Sequence, residues 1–364
     1  MGATSFRGLK TDMAYRVQAN RDAFDGVIAG APANETLEVL ARAIDWRRIR
    51  EVMAPAYDHS GRGKAGFDPV VLFKMLLLEH LFQLSDVQVS VEAGDRLSFR
   101  RFLGLSAGDT PPDDTTLVRF RKRLRQKGLL GAAERDIAAQ LREKGLSVRP
   151  GAIKVVDATL IRAATRPPSK PGETGLGDAA ENGGENGPDT TVEDPQQPSE
   201  RRLDRDAAYG GKPGNFVYGY KLHAAVDVER GVVTAFDVTP ANVHDSQRFG
   251  ALLDGNERAV LADKGYDSDA NRRALARAGT YDGIMRREVA GSGRLFEIER
   301  ARNRGLSRFR APGEGIFAWL KRFRKLSRAV YLGIERMREQ TLLAVMASNL
   351  LKLLPGLRER CAQK

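Results

Sequence analysis

The stretch AIKVVDATLI, residues 152–161, indicates the fold class because it sets one carboxylate, Asp157, inside a largely apolar run. Short runs rich in Val and Ile are typical of buried strands. A carboxylate flanked by Val155, Val156 and Leu160 is costly to bury unless a metal ion or a hydrogen-bond donor compensates it. We therefore expect Asp157 to have a charged partner, with an Asp at a strand end or turn as the simpler alternative.

A second acid, Asp263, follows the short apolar run AVLA, residues 259–262, and precedes KGYDS. We expect its side chain at the carboxyl end of a strand, where open α/β sheets commonly bind ligands. A turn Asp before Gly265 is the alternative interpretation.

A third acid, Glu314, lies in PGEGIFAWLKRFRK, residues 312–325. Pro312 fits the first turn of a helix, where an acid complements the helix dipole, so capping is one interpretation of Glu314. Helical spacing also puts Arg310 and Lys321 on the same face as Glu314. Such a face suits an acid that lies near a phosphate group.

Basic residues dominate the surroundings of this third acid. Between positions 298 and 330 the chain has ten Lys or Arg residues and two acids, Glu299 and Glu314. This excess of positive charge favours a polyanionic partner. A solvated basic face without a partner is the alternative.

Four segments follow one another along the chain: VVDATLIRA (155–163), GNFVYGYKLHAAVDVERGVVTAFDVTPANVHDS (214–246), VLADKGYDS (260–268) and RNRGLSRFRAPGEGIFAWLKR (302–322). In this order they resemble bacterial insertion-sequence transposases with a DDE triad, of the group called IS-five. FDPVVLFKMLLLEHLFQLSDVQVS (67–90) and PDDTTLVRFRKRL (112–124) resemble the domain that precedes the catalytic core in these transposases. The resemblance extends over residues 40 to 352.

This resemblance implies a ribonuclease H-like fold, in which a mixed sheet brings acids from strands one and four together near a helix bearing the third acid. Asp157, Asp263 and Glu314 would then be the catalytic residues and would hold two Mg²⁺ or Mn²⁺ ions. Such a site cleaves DNA at the transposon ends and joins the free 3′ ends to target DNA. Glu299 competes as the third acid, because Gly313 stands where the family commonly shows a bulky residue.

The resemblance also implies DNA contacts around the triad. We expect Arg310 and Lys321 to orient the DNA backbone and to offset its charge. Further candidates lie beside the acids or on the strand before them: Lys264, Tyr266, His244 and Lys221. Tyr218, Lys221 and His223 are expected to share one face of that strand. In TPANVHDS, Asp245 or Ser246 is the expected N-cap of the helix that follows.

The first 150 residues indicate helices. Residues 36–53 predict one amphipathic helix, Asp68 caps a helix with Pro69 at its first position, and Ser85 forms a capping box with Gln88. Asp114 is expected to cap a third helix, which carries a basic set: Arg119, Arg121, Lys122, Arg123 and Arg125. This helix would bind DNA in a helix-turn-helix manner or remain a solvated helix packed through Leu117, Phe120 and Leu124.

Composition agrees with a nucleic-acid partner. The chain has 364 residues, a net charge of +12 and a single cysteine, Cys361, which excludes an intrachain disulfide framework. Four histidines without zinc-ligand spacing leave carboxylates as metal ligands, and oxygen ligands select hard cations such as Mg²⁺ or Mn²⁺. No membrane span or signal peptide is expected, so the predicted location is the cytoplasm, at the nucleoid.

The predicted fold class is α+β. We expect a helical DNA-binding and assembly domain over residues 1–148, a ribonuclease H-like α/β catalytic domain with a mixed sheet over 149–354, and a tail over 355–364. The acidic, Gly- and Pro-rich tract 167–200 is expected to be a disordered loop that acts either as a spacer or as a shield of the basic site. Pairing of two transposon ends implies a homodimer or a larger synaptic complex on DNA. The alternative functions are a catalytically inactive DNA binder and a nuclease of the same fold without strand transfer.

Overall fold

The computed structural model describes residue 30 and residues 33–57, 66–106, 108–146, 152–165, 203–212, 214–288 and 296–362. The tract 167–200, with its predicted disorder and its spacer or shielding role, lies outside these residues. The described part contains a helical unit followed by a mixed sheet with helices on its faces, so the predicted fold class is confirmed.

The helical unit is built around one apolar helix. Its helices are α1 Glu35–Ala43, α2 Trp46–Met53, α3 Pro69–Phe82, α4 Asp86–Asp95, α5 Leu97–Leu103, α6 Asp114–Gln126 and α7 Leu129–Glu143. Helix α3 lies at the centre, because apolar side chains on all its sides, such as Leu72, Phe73 and Leu77, are fully buried. The other helices pack their apolar faces against it and complete the core.

The local capping signals of this unit are largely confirmed. Asp68 accepts a hydrogen bond from the backbone N–H of Val70, with a proline at the first helical position. Ser85 and Gln88 form the predicted capping box. At α6 the prediction is wrong by one residue, because Asp113 is the cap and Asp114 the first helical residue.

The predicted single helix over residues 36–53 is wrong. It divides into α1 and α2, because Ile44 has an extended backbone and Asp45 caps the second helix through the N–H of Arg47. Ile44 is buried at this break, so the corner itself belongs to the core.

The sheet consists of β1 Ile153–Arg162, β2 Ala208–Lys212, β3 Asn215–Asp227, β4 Val233–Pro240, β5 Ala259–Ala262 and β6 Tyr281–Ile284. The long strand β3 pairs antiparallel with β1 on one edge and with β2 and then β4 on the other. Strand β5 runs parallel to β1, and β6 parallel to β5. Two parallel strands therefore end beside the middle of β1, which is where a ligand site is expected.

Helices cover both faces of this sheet. Helix α9, Glu297–Phe323, buries Ile316 and Leu320 against Ile161 and Tyr220 on one face. A 3₁₀ helix, Asp245–Leu252, and helix α8, Asp269–Arg277, cover the other face. The predicted helix over 245–254 is thus a shorter 3₁₀ helix. The helix predicted over 312–325 begins earlier, at residue 297, and ends at 323.

The helix α10, Ile334–Ala362, belongs to both units. Leu343 and Leu350 lie in the core of the helical unit, whereas Ala344 and Val345 pack with the sheet. Among the described residues it is the one helix long and apolar enough to cross a membrane, but 67% of its apolar window is buried inside the protein. The tail predicted over residues 355–364 is wrong as far as residue 362, because the helix continues to that residue and Leu357 is fully buried.

Candidate active site

Two of the three acids come from neighbouring strands at the same height. Val156 of β1 lies opposite Ala262 of β5 in a parallel pair, and the residue after each is an acid, Asp157 and Asp263. Asp157 lies in the interior of β1, so the strand-end and turn alternatives are excluded for it. One of its oxygens, Oδ1, accepts a hydrogen bond of 2.8 Å from the N–H of Ala158, which orients the carboxylate.

The third acid is brought to this place by a close contact between α9 and β1. A Cβ atom at Gly313 would lie 2.5 Å from Cγ1 of Val155, so only glycine permits this approach. The glycine that departs from the family pattern therefore has a packing role in this chain. Glu314 lies in the middle of α9, and the capping interpretation of this residue is wrong.

One arginine lies among all three acids. The guanidinium of Arg310 places Nη2 3.0 Å from Oδ2 of Asp157, Nη1 3.6 Å from Oδ1 of Asp263 and Nη2 3.7 Å from Oε1 of Glu314. The predicted common face of Arg310 and Glu314 is confirmed by this contact. Arg310 is buried, however, so its charge faces the acids and not a surface open to DNA.

The environment of Asp157 disfavours its charge. Burial raises the pKa of Asp157, and the nearby Asp263 raises it further, whereas the N–H of Ala158 and the Arg310 guanidinium lower it. A net rise remains. A carboxylate in this position gains from an additional cation, because the cation would counter both the burial and the neighbouring acid.

The donor chemistry fits a hard divalent cation. Asp157, Asp263 and Glu314 offer carboxylate oxygens, which Mg²⁺ and Mn²⁺ prefer. Within the described residues, no three acidic, histidine or cysteine side chains are gathered closely enough to hold one ion. The three acids meet at the guanidinium instead. Glu299 is not among them, because its nearest cation is Arg286, at 4.0 Å.

The remaining residues predicted around the triad differ in exposure. Lys264 and His244 are exposed beside Asp263, whereas Tyr266 is fully buried and packs on Phe249. This burial does not favour the predicted DNA contact of Tyr266. Lys321 is half-buried on α9, where burial, followed by the charge of Arg162, lowers its pKa.

Lys221 lies on the opposite face of the sheet from Asp157. It donates hydrogen bonds to Asp245 at 2.9 Å and to the carbonyl oxygen of Val243. His223 shares this face and is fully buried. Tyr218 is an odd number of positions away from both, so it points to the other face, and the predicted common face is wrong for it. Asp245 and Ser246 are not the N-cap, since His244 caps the 3₁₀ helix and accepts the N–H of Ser246.

A residue that sequence analysis missed lies next to the second acid. The guanidinium of Arg287 donates to the carbonyl oxygens of Lys264 and Gly265, at 2.5 and 2.9 Å, and lies 3.4 Å from His244. It is exposed and makes no ion pair with any residue in the described part of the chain. A signal was available, because Arg287 follows strand β6, which ends beside β5.

The basic helix α6 presents only part of its charge. Arg119 and Arg123 are exposed, and Arg123 stacks over the ring of Tyr57 at 5.0 Å. Arg121 is buried and forms ion pairs with Glu79 and Asp86. Burial and these ion pairs do not favour the predicted DNA contact of Arg121. The apolar stripe of this helix is buried as predicted: Leu117, Phe120 and Leu124.

Comparison with known proteins places this geometry in a family. Residues 149–350 match the Transposase DDE domain, and residues 28–123 match the Transposase domain (DUF772). The chain is similar to the transposase for insertion sequence element IS1106 of Neisseria meningitidis serogroup B. The two are 36% identical over 237 residues, which is 65% of this chain and 76% of that protein. With one match covering more than half of its length and the other most of its helical unit, the chain belongs to the DDE transposases, enzymes that act on DNA.

Proposed function

We propose that this transposase serves an insertion sequence element, cleaves DNA at the ends of the element and joins the 3′ ends to target DNA. The observation that carries the proposal is the convergence of Asp157, Asp263 and Glu314, from two strands and a helix, on one buried guanidinium. Three carboxylates from distant parts of the chain would repel one another unless a cation held them together. In phosphoryl transfer a divalent ion supplies the positive charge that Arg310 supplies here between the three carboxylates.

Asp157, Asp263 and Glu314 are the proposed ligands of Mg²⁺ or Mn²⁺, two ions per site. When bound, such ions activate the attacking oxygen and stabilise the leaving oxygen. The chain contributes orientation: the N–H of Ala158 fixes the carboxylate of Asp157. Asp263 and Glu314 are more exposed than Asp157, so substrate would approach from their side.

Basic and polar side chains around the triad that are at least partly exposed would hold the DNA backbone. Lys264, His244 and Arg287 lie on the rim beside Asp263, and Lys321 lies further along α9 from Glu314. In the helical unit, Arg119 and Arg123 are the proposed contacts of α6. Arg310, Lys221, Arg121 and Tyr266 are buried or engaged by other residues, and we leave them out of the proposed DNA surface.

The assembly and the subgroup are also proposals. Joining two ends of an element requires two ends in one complex, which favours a homodimer or a larger complex on DNA. The segments between residues 155 and 322 favour the IS-five group. Such an enzyme would work in the bacterial cytoplasm, at the nucleoid.

The test is metal-dependent cleavage of DNA that carries the ends of the element. We expect cleavage with Mg²⁺ or Mn²⁺ by the intact chain, and loss of cleavage to background in Asp157→Asn and Glu314→Gln. End binding should remain, because the exposed cations are untouched. Glu299→Gln is the matched control on the same helix and should retain cleavage.

The outcomes separate the alternatives. Retained cleavage in Asp157→Asn would overturn the triad, and loss only in Glu299→Gln would move the third ligand. An intact chain that binds ends without metal-dependent cleavage would be a DNA-binding protein. Cleavage without joining of pre-cleaved ends to target DNA would make the protein a nuclease.

A further inference from the structure

The side chain of Arg310 is held almost entirely by the acids. Beyond the three carboxylates, its one described contact is a 3.2 Å approach of Nη1 to the sulfur of Met285, which is a weak acceptor. Its Nε is buried and has no hydrogen-bond partner in the part of the chain that the structure describes. No backbone carbonyl among the described residues accepts a hydrogen bond from this guanidinium.

Other arginines around the sheet are fixed differently. Arg302, on the same helix α9, donates to the carbonyl oxygens of Ile284 and Asp282. Arg328 donates to the carbonyl oxygens of Ala163 and Ala164. These guanidinium groups dock one element on another through backbone carbonyls. Among the described residues Arg310 has no such backbone anchor, so its guanidinium is positioned mainly by the carboxylates, with the weak contact to Met285 beside them.

A divalent ion would draw on the same three carboxylates, each of which has one oxygen near the guanidinium of Arg310: Oδ2 of Asp157, Oδ1 of Asp263 and Oε1 of Glu314. A carboxylate oxygen that coordinates a metal at about 2.1 Å has lost most of its capacity for a guanidinium, and the two cations repel each other. The carboxylates are more exposed than the arginine, so an ion can arrive from solution while the guanidinium lies beneath them.

We propose that Arg310 is an intramolecular counter-ion of the triad, which holds the three carboxylates together in the free protein and competes with the divalent ion for their oxygens. The inference rests on the proposed function, because it takes the triad as the metal site. Arg310 is thus a positioning residue, acting through Asp157, Asp263 and Glu314. Metal binding is then accompanied by release of the Arg310 guanidinium from the carboxylates.

The test is the affinity of the full-length chain for Mn²⁺ without DNA, measured by electron paramagnetic resonance of free Mn²⁺ and by calorimetry. Arg310→Gln removes the competing charge, and we expect Mn²⁺ to bind about tenfold more tightly or better. Arg310→Lys keeps the charge and should bind Mn²⁺ nearly as the wild type does. Arg302→Gln is the matched control: it removes an arginine of the same helix away from the triad and should leave Mn²⁺ affinity unchanged.

A second readout is thermal unfolding in EDTA and in Mn²⁺. Arg310→Gln should unfold at a lower temperature in EDTA, because three carboxylates then face one another, and Mn²⁺ should raise its unfolding temperature more than that of the wild type. If Asp157→Asn abolishes Mn²⁺ binding but Arg310→Gln leaves the Mn²⁺ affinity unchanged or weaker, the counter-ion role of Arg310 is overturned. Mn²⁺ binding that is insensitive to Asp157→Asn would instead overturn the proposed metal site itself.

Discussion

In the described part of the chain, Arg121 and Arg310 are buried arginines that each contact more than one acid. The first of them, Arg121, belongs to a closed cluster with Glu79 and Asp86. The side chains of these two acids are only 5% and 19% exposed. Tyr331 covers the cluster, with its hydroxyl donating to Asp86 at 3.2 Å and its ring beneath the guanidinium. Burial raises the pKa of Glu79 well above its ordinary value. The carboxylate of Glu79 is thus largely shut off from solution, and that of Asp86 is mostly covered.

The second arginine, Arg310, belongs to an open cluster with Asp157, Asp263 and Glu314. Here the arginine is buried and the acids face water, with side-chain exposures of 22%, 43% and 59%. Both clusters have an arginine between carboxylates, two in the first and three in the second. They differ in exposure: the acids of the first cluster are mostly covered, whereas Asp263 and Glu314 of the second are open to solvent, as the proposed metal site requires.

The largest effect on stability is expected from breaking the closed cluster. Arg121→Met leaves Glu79 and Asp86 without their cation in a covered place, and removal of one partner of a buried pair costs about 3–5 kcal/mol. Urea unfolding followed by circular dichroism measures this change. Arg119→Met, an exposed position on the same helix, should stay within about 0.5 kcal/mol. If Arg310→Gln costs as much as Arg121→Met, the distinction between closed and open clusters is wrong.

The open cluster also depends on the glycine that lets α9 approach β1. Gly313→Ala inserts a methyl group against Val155, and such overpacking costs about 1–3 kcal/mol and should shift Glu314 away from the strand. Cleavage should therefore fall along with the unfolding temperature. Gly315→Ala is the matched control, because nothing lies within 4 Å of its added Cβ. Alanine there should stabilise the helix by about 0.5–1 kcal/mol. Equal effects at both positions would argue against close packing at Gly313.

A third arginine–carboxylate contact, between Arg125 and Glu339, extends the comparison to a pair with a single acid. Oε1 of Glu339 lies 3.4 Å from Nε of Arg125, and burial raises the pKa of Glu339 to about 7, against the lowering effect of Arg125. The folded protein then holds this proton more tightly than the unfolded chain. Stability from the protonated form is present below the ordinary Glu pKa and is lost as the pH rises through about 7.

The Glu339→Gln variant should remove this pH dependence. Between pH 5 and pH 8 we expect the wild type to lose about 1 kcal/mol more than the variant, a figure reduced for the part of the side chain that water reaches. Urea unfolding at both pH values measures the difference. A wild type that gains stability relative to the variant over this range would contradict the sign.

Local signals in the sequence predicted local structure well. Asp68 and Ser85 cap their helices because a cap depends on residues two or three positions away, and Asp157 and Asp263 lie where their apolar runs place them. The break at Ile44 has no such signal, because burial of a corner is decided by the helices that surround it. The burial of Arg121 had a signal that was overlooked: four positions after Leu117 and three before Leu124, it shares the apolar stripe.

The role of Arg310 was not predictable in the same way. Helical spacing placed it beside Glu314, and its charge suggested DNA. Its contact with Asp157 depends on how closely α9 packs on β1, and that distance is determined by Gly313 and Val155 together. The same argument explains Lys221, since its partner Asp245 lies on a segment that only the fold brings beside the strand.

The shared helix α10 has a consequence for how the chain folds during synthesis. The core of the helical unit includes Leu343, Leu350 and Leu357, which leave the ribosome long after α1 to α7 have been made. The helical unit is translated first, but its core stays incomplete until helix α10 has been made. A copy truncated before residue 334 should fail to fold its helical unit, although every residue of α1 to α7 is present. Premature stop codons late in the reading frame should therefore inactivate DNA binding as well as catalysis.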